Sequence, residues 1–385
     1  MNALSIPTTA PTKSLTPLLG VLLALLISAL DKAMATAAMP RAAAELAGFS
    51  RYPWTTTAHL LTSTIAMLVI AKMSDLYGRR RLYLWSTLIL VLGSILCGAA
   101  GRLQVPIDGM NQLIFSRGIL GIGDGGITAL AFTFIADLFA PSKRGRYQGV
   151  LSAVYGLGSV VGLTLGGWIT DHWSWRWAFW VTVPIGAAAI FTILGTVPNS
   201  PKNVQRGSID WVGIVTLCGW LVPLLMAFGN AGSGNWLLAP GALMMVIFLL
   251  VEGRAQEPLV FLDLFRNRKV ALTSVNLFLQ GIAVFAVIVF LPVSLQGGRG
   301  TTAATSGLAL SCVIAGIFSG NLAAGQLLSR TGRYRLIATF GTGCATIGLM
   351  LFSRIGVGTS AKGLFVAAIV CGLGFGSLTP GRRIV

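Results

Sequence analysis

The sequence predicts an all-α polytopic membrane protein, and three observations carry this prediction. Hydrophobic residues make up 55% of the 385 residues. Charged residues are only 10%, against about 25% in an average soluble domain. Apolar runs of about 20 residues recur along the chain, and each is long enough to cross a hydrocarbon core of about 30 Å.

Twelve apolar runs follow a polar N-terminal segment. Residues 1–16 contain Pro7, Pro11 and several Ser and Thr, which predicts a cytoplasmic tail without a packed core. The transmembrane helices, about 12 in number, are expected at 17–39, 54–74, 82–101, 111–136, 147–169, 177–197, 211–229, 236–252, 270–293, 303–328, 334–353 and 361–380.

The basic residues predict the orientation of these spans. Most of the 28 Lys and Arg fall in loops on the same side as the N-terminus, including the run Arg79 to Arg81. Cytoplasmic loops carry an excess of Lys and Arg, so the N-terminus is expected in the cytoplasm. Because the basic residues form no continuous face, the net charge of +17 does not indicate nucleic-acid binding.

The spans divide into two halves and an insert. Residues 17–197 are expected to form an N-terminal six-helix bundle, and residues 270–385 a partial C-terminal bundle of four helices. Between them, residues 198–269 hold an inserted helix pair, 211–252, with cytoplasmic linkers on both sides. Segments 71–81 (AKMSDLYGRRR) and 325–335 (GQLLSRTGRYR) share a Gly and Arg register, and repeated halves with a site between them are typical of transporters.

Four charged residues lie inside predicted spans: Asp31, Lys32, Arg117 and Asp124. Each costs roughly 2.5–3.5 kcal/mol to insert and therefore needs a partner or a function. At about 1.5 Å per residue, Asp31 and Arg117 reach similar depths, so we expect them to face each other. Asp124 shares a helix face with Arg117 but lies deeper.

A desolvated aspartate beside an arginine can take up and release a proton, so Asp31, Arg117 and Asp124 are the predicted proton-coupling residues. A static ion pair that only fixes helix packing is the alternative for Asp31. For Asp124 the alternative is a hydrogen bond to a neighbouring helix. Lys32 would disfavour cationic cargo if it faces a cavity.

Four glycines, Gly158, Gly162, Gly166 and Gly167, are spaced along the fifth predicted span. Small residues at this spacing let two helix backbones approach closely, and both tight packing and a moving hinge fit the pattern. His59 and His172 are far apart in the sequence, which does not indicate a metal site. We find no nucleophile, metal cluster or phosphate loop, so an enzyme is not expected.

Several of these segments resemble motifs of the major facilitator superfamily. Residues 71–81 resemble its loop signature G-x-L-a-D-r-x-G-r-r. Residues 30–40 (LDKAMATAAMP) resemble L-D-x-T-I-V-N-V-A-L-P, the first-helix motif of its drug–proton antiporters. Residues 117–123 (RGILGIG) resemble R-x-x-q-G-x-g, and residues 158–167 (GSVVGLTLGG) are similar to g-x-x-x-G-P-x-x-G-G. Residues 175–186 and 209–213 look like further marks of the fourteen-span branch.

The resemblance implies a proton-coupled efflux transporter with two bundles that rock to alternate access. Such a protein exports small amphipathic compounds such as drugs across the cytoplasmic membrane, with protons, the lipid bilayer and its substrate as partners. The proton gradient is its energy source, and no cofactor is implied. By position, Asp31 and Arg117 match the coupling residues. Asp75, Gly78, Arg79 and Arg80 match the gating loop.

Two departures from the family pattern matter. Leu163 stands where the antiporter helix has Pro, so the kink is not assured. The branch has fourteen spans and this chain predicts twelve, so a C-terminally truncated copy with an incomplete second bundle is expected. An exporter dedicated to one metabolite and a truncated, non-transporting membrane protein stay open as alternatives.

Overall fold

The computed structural model describes residues 16–139, 141–196, 211–229, 235–254, 265–298, 300–331, 334–354 and 361–378. Within these ranges the chain is almost entirely helical and contains no strand. The helices are α1 Thr16–Glu45, α2 Tyr52–Tyr77, α3 Arg79–Ala99, α4 Gly109–Leu138, α5 Pro141–His172, α6 Trp177–Trp180, α7 Thr182–Thr196, α8 Trp211–Gly229, α9 Leu238–Glu252, α10 Arg268–Val293, α11 Ala303–Thr331, α12 Tyr334–Ser353 and α13 Ala361–Ser377.

Every predicted span contains an apolar helix. Among the described residues, eight helical segments are long and apolar enough to cross a membrane, judged by length and composition. Shorter apolar helices lie within α8, α9, α12 and α13. Residues 1–15 of the predicted tail, and residues 198–210 and 255–264 of the predicted linkers, lie outside the described residues.

Three departures from the expected helix boundaries stand out, one of which is that α5 begins at Pro141 rather than at residue 147. The first span was expected to end at residue 39, but α1 continues through Pro40 to Glu45. The residues after Pro40 include good helix formers, and Ala42 and Ala43 are buried against neighbouring helices. The sixth span is interrupted at Val181 between α6 and α7. Pro184 has no N–H to donate to the carbonyl of Trp180, which weakens the helix at this point.

The helices pack as two groups that share one main contact. In the first group α1 packs against α5 and α7, and α4 packs against α2 and α3. In the second group α13 packs against α11 and α12. The main contact between the groups is α5 on α11. Helices α8 and α9 pack against each other, and α8 also touches α2. The division into two bundles and an insert stays a prediction.

The N-terminal group has the more continuous core. One cluster joins α1 to α3 and α4 through fully buried side chains such as Val21, Leu90 and Ile127.

At the start of α4, the exposed Asp108 accepts hydrogen bonds from two backbone N–H groups of the first turn. Arg51 Nη1 also donates to Asp108 Oδ2 at 2.7 Å, and this bond lowers the pKa of the carboxyl below its ordinary value.

Candidate transport site

A buried ion pair joins α1 to α4. Arg117 Nη1 lies 3.7 Å from Asp31 Oδ2, and both side chains are almost completely buried. Ser94 Oγ of α3 donates to Asp31 Oδ1 at 2.6 Å, and Thr182 Oγ1 of α7 lies 3.2 Å from the same oxygen. The two side chains therefore face each other, as expected from their similar predicted depths. Their role in proton coupling stays a prediction.

A second ion pair also connects α1 to α4, and its α1 residue directly follows Asp31. Lys32 Nζ lies 2.8 Å from Asp124 Oδ2, and Ser28 Oγ donates to the other carboxylate oxygen. Lys32 Nζ also donates to the hydroxyl of Tyr155 on α5 at 3.4 Å. The sequence analysis did not pair Lys32 with Asp124. The sequence held no clear signal for this pair, because Lys32 and Asp124 lie at different predicted depths and the long Lys32 side chain spans the difference.

His59 of α2 belongs to the same cluster and was missed as a site residue. Its Nε2 lies 3.2 Å from Asp124 Oδ2, although the angle is unfavourable for a hydrogen bond. Its Nδ1 has no hydrogen-bond partner among the described residues, and the side chain is 1% exposed. We considered the histidines only as metal ligands. The position of His59 inside a span was the signal that could have found it.

A cavity of about 350 Å³ lies beside these two ion pairs, between the two helix groups. Its polar lining comes from α1, α2, α4 and α5 and consists of Lys32, Thr36, Thr56, His59, Arg117, Tyr155 and Ser159. Its α10 and α11 lining consists of Gly281, Val284, Phe285, Ile288, Leu310 and Ile314. Neither Asp31 nor Asp124 is among the lining residues, so each carboxylate lies behind its cationic partner.

The glycines of α5 mark close helix contacts. A Cβ at Gly158 or Gly162 would meet Ala29 or Ala33 of α1 at 3.0 or 2.8 Å. A Cβ at Gly166 would lie 2.5 Å from the Cα of Met34. Gly167 instead faces α11, where a Cβ would lie 2.5 Å from the carbonyl oxygen of Ala303. These contacts account for the spacing by tight packing, while a hinge at this helix stays a prediction.

The basic turn between α2 and α3 is anchored to other helix ends. Gly78 has φ +92°, a conformation that residues with a Cβ adopt only with strain. Arg79 Nη1 donates to the carbonyl of Thr133 at 3.1 Å, and Arg80 Nη2 donates to that of Leu194 at 2.6 Å. Asp75 lies in the last turns of α2, and its side chain is outside the described residues. A gating role for this turn stays a prediction.

Three hydrogen bonds between the two helix groups lie at the end where α1 finishes and α2 begins. Asp171, at the end of α5, accepts the first backbone N–H groups of α11 from Ala303 at 3.0 Å and Ala304 at 2.7 Å. Tyr52 donates to the carbonyl of Val289 on α10 at 3.2 Å. The carboxylate of Asp171 stabilises the positive end of the α11 dipole, which the sequence analysis did not foresee.

Within the described residues, twelve apolar helical segments and a central cavity beside buried ion pairs define a multi-pass membrane protein of the transporter type. Residues 21–383 match the sequence model of the Major Facilitator Superfamily, and the chain belongs to that family. This confirms the resemblance and the predicted fold class. The fourteen-span branch and the truncation stay predictions.

Two curated bacterial relatives are named for multidrug resistance or multidrug transport. The chain is 34% identical to "Multidrug resistance protein 3" of Bacillus subtilis over 91% of its own length and 69% of that protein. It is 34% identical to "Multidrug transporter protein MdtP" of the same organism, covering 91% of this chain and 65% of that protein. The chain thus spans about two thirds of the length of these relatives.

Solved structures support the fold alone. A D-xylose–proton symporter matches with a TM-score of 0.66 and 16% identity, covering 96% of this chain and 81% of that one. A POT family transporter in complex with 5-aminolevulinic acid matches with a TM-score of 0.65 and 14% identity, covering 95% and 82%.

Proposed function

We propose that this protein is a proton-coupled antiporter that exports small amphipathic compounds, such as drugs, across the cytoplasmic membrane. The observation that carries this proposal is the buried Asp31–Arg117 pair, whose arginine also lines the cavity. One side chain therefore touches both the carboxylate that would carry the proton and the space that would hold the cargo. The multidrug names of the bacterial relatives support drugs as the cargo class.

The coupling follows from competition for Arg117. A proton on Asp31 removes the negative charge that holds the guanidinium in place. A cargo that holds Arg117 against the ionised carboxylate makes that carboxylate harder to protonate. By linkage, protonation then weakens cargo binding by the same factor, which is the condition for exchange of one for the other.

The remaining parts of the transport cycle are proposed by position. The N-terminus lies in the cytoplasm, and the two helix groups rock about the cavity to alternate access. The turn with Asp75, Gly78, Arg79 and Arg80 serves as the gate on the cytoplasmic side. The α5 glycines form the contact along which α1 and α11 move. The proton gradient supplies the energy without a cofactor.

Dye transport in everted membrane vesicles tests this proposal. We expect vesicles that contain the protein to transport the neutral dye Nile red when a proton gradient, acid inside, is imposed. A protonophore should reduce transport to the level of vesicles without the protein. Transport that is unaffected by the gradient would contradict antiport, and no transport above the protein-free vesicles would contradict the transporter itself.

A further inference from the structure

The cavity has one polar wall and one apolar wall. The polar wall belongs to α1, α2, α4 and α5, and its charged side chains are Lys32 and Arg117. The apolar wall belongs to α10 and α11, with Val284, Phe285 and Ile288 among its side chains. A molecule that fills this space must be amphipathic, with its polar end toward the ion pairs.

The polar wall offers hydrogen-bond donors that the protein does not use. Arg117 is 3% exposed, and its Nε and Nη1 are buried without a hydrogen-bond partner among the described residues, with Nη1 directed at Asp31, so the donor open to the cavity comes from Lys32. The ammonium of Lys32 has three N–H donors, of which Asp124 and Tyr155 take two. The Lys32 side chain is 32% exposed and lines the cavity. Buried donors of this kind are costly unless a bound group accepts from them.

Charge balance on this wall selects against ionised cargo. The two acidic and two basic groups form two ion pairs whose formal charges cancel. A cation entering the cavity meets Lys32 and Arg117 first, because both carboxylates lie behind them. Moving a charged molecule from water into the cavity also costs free energy, because the cavity offers it no unpaired counter-charge.

An anion is disfavoured by the coupling itself. It would draw Arg117 away from Asp31 and promote protonation of that carboxylate, so cargo and proton would bind together. Antiport requires the opposite relation. A neutral acceptor can bond to the third donor of Lys32 and leave the guanidinium of Arg117 beside Asp31.

We propose that the cargo is a neutral amphipathic molecule whose polar end is a hydrogen-bond acceptor, such as a carbonyl or sulfonyl group. Its acceptor lies on Lys32, beside Arg117, and its apolar body lies against α10 and α11. Lys32 is the residue that excludes cations. This inference rests on the proposed antiport function, since the exclusion of anions depends on it.

Three fluorescent probes with one body and different charge test the inference by equilibrium binding to the purified chain in lipid nanodiscs. Dansylamide is neutral, dansylglycine carries a carboxylate, and N-(2-aminoethyl)dansylamide carries an ammonium. We expect dansylamide to bind at least about tenfold more tightly than either charged probe, equivalent to about 1.4 kcal/mol. Equal binding of the three probes, or binding of none, would overturn the inference.

Variants of Lys32 locate the selectivity. Lys32→Met should tighten binding of the ammonium probe by about tenfold, because Asp124 loses its cation and becomes available to the cavity. The double variant Lys32→Met/Asp124→Asn should abolish that gain, and it keeps the test valid if the single variant folds poorly. Arg41→Met, at an exposed position of the same helix, is the control and should change nothing.

The binding results separate this inference from the proposed function. Unchanged probe preference in Lys32→Met would show that Lys32 does not set the selectivity. If dansylamide binds as expected but Nile red transport ignores the proton gradient, the antiport proposal fails, and with it the argument against anions. Tight binding of dansylglycine together with gradient-driven transport would overturn the cargo class alone.

Discussion

The two walls of the central cavity differ in kind. The wall from α1, α2, α4 and α5 contains both ion pairs and the hydroxyl groups, and it is supported by α3 and α7 through Ser94 and Thr182. Among the described residues, the wall from α10 and α11 presents only apolar side chains and glycine to the cavity. The difference suggests that the N-terminal helices bind polar groups and protons, while α10 and α11 supply an apolar surface.

The largest expected effect on stability is at Asp124. Asp124→Ala leaves Lys32, whose side chain is 32% exposed, without its counter-ion and the buried Ser28 hydroxyl without its acceptor, which should cost about 3 kcal/mol. On the opposite wall, Ile288→Val should cost only about 0.5–1.5 kcal/mol, because it removes one methylene from a partly buried side chain. Urea unfolding in mixed micelles measures both. Equal losses at the two walls would remove the energetic contrast between them.

A smaller effect is expected where the two walls are joined by α5. Gly166→Ala places a Cβ within 2.5 Å of the Cα of Met34, and the backbone shift this requires should cost about 1–3 kcal/mol. Gly149→Ala is the matched control on the same helix, since nothing lies within 4 Å of its added Cβ. It should leave stability unchanged or raise it slightly. Thermal unfolding of the two variants is sufficient, and similar melting temperatures would argue against the close α1–α5 contact.

The smallest effect is expected at the turn between α2 and α3, away from both walls. Gly78→Ala forces a Cβ into a backbone with φ +92°, which should cost about 1–2 kcal/mol. Since Gly78 does not line the cavity, dansylamide binding by the folded variant should stay at the wild-type level. A change in binding without a change in stability would mean that this turn communicates with the cavity.

The sequence was most informative about depth along each helix and least informative about rotation around it. Residue counting placed Asp31 and Arg117 at one level, and the structure has them 3.7 Å apart. The pairing of Lys32 with Asp124 depends on how α1 turns relative to α4, and hydropathy does not encode that angle. His59 enters the cluster because α2 packs on α4, which is again a property of the assembled bundle.

The end of a helix was also poorly determined by local pattern. Pro40 favours termination, yet α1 continues because its next residues are buried by neighbouring helices, a tertiary effect. Asp171 caps α11 through backbone N–H groups that are 132 and 133 positions further along the sequence, so no local motif predicts this cap.

Gradient-driven transport by Asp31→Asn tests the central claim most directly. The substitution keeps the size of the side chain and one acceptor oxygen but removes the group that would carry the proton. Asp108→Asn is the matched control, because Asn also caps helices well and Asp108 lies outside the cavity. We expect Asp31→Asn to reduce proton-driven Nile red transport in everted vesicles to the protein-free level, while Asp108→Asn retains it. Gradient-dependent transport that survives in Asp31→Asn would contradict the assignment of proton coupling to the Asp31–Arg117 pair.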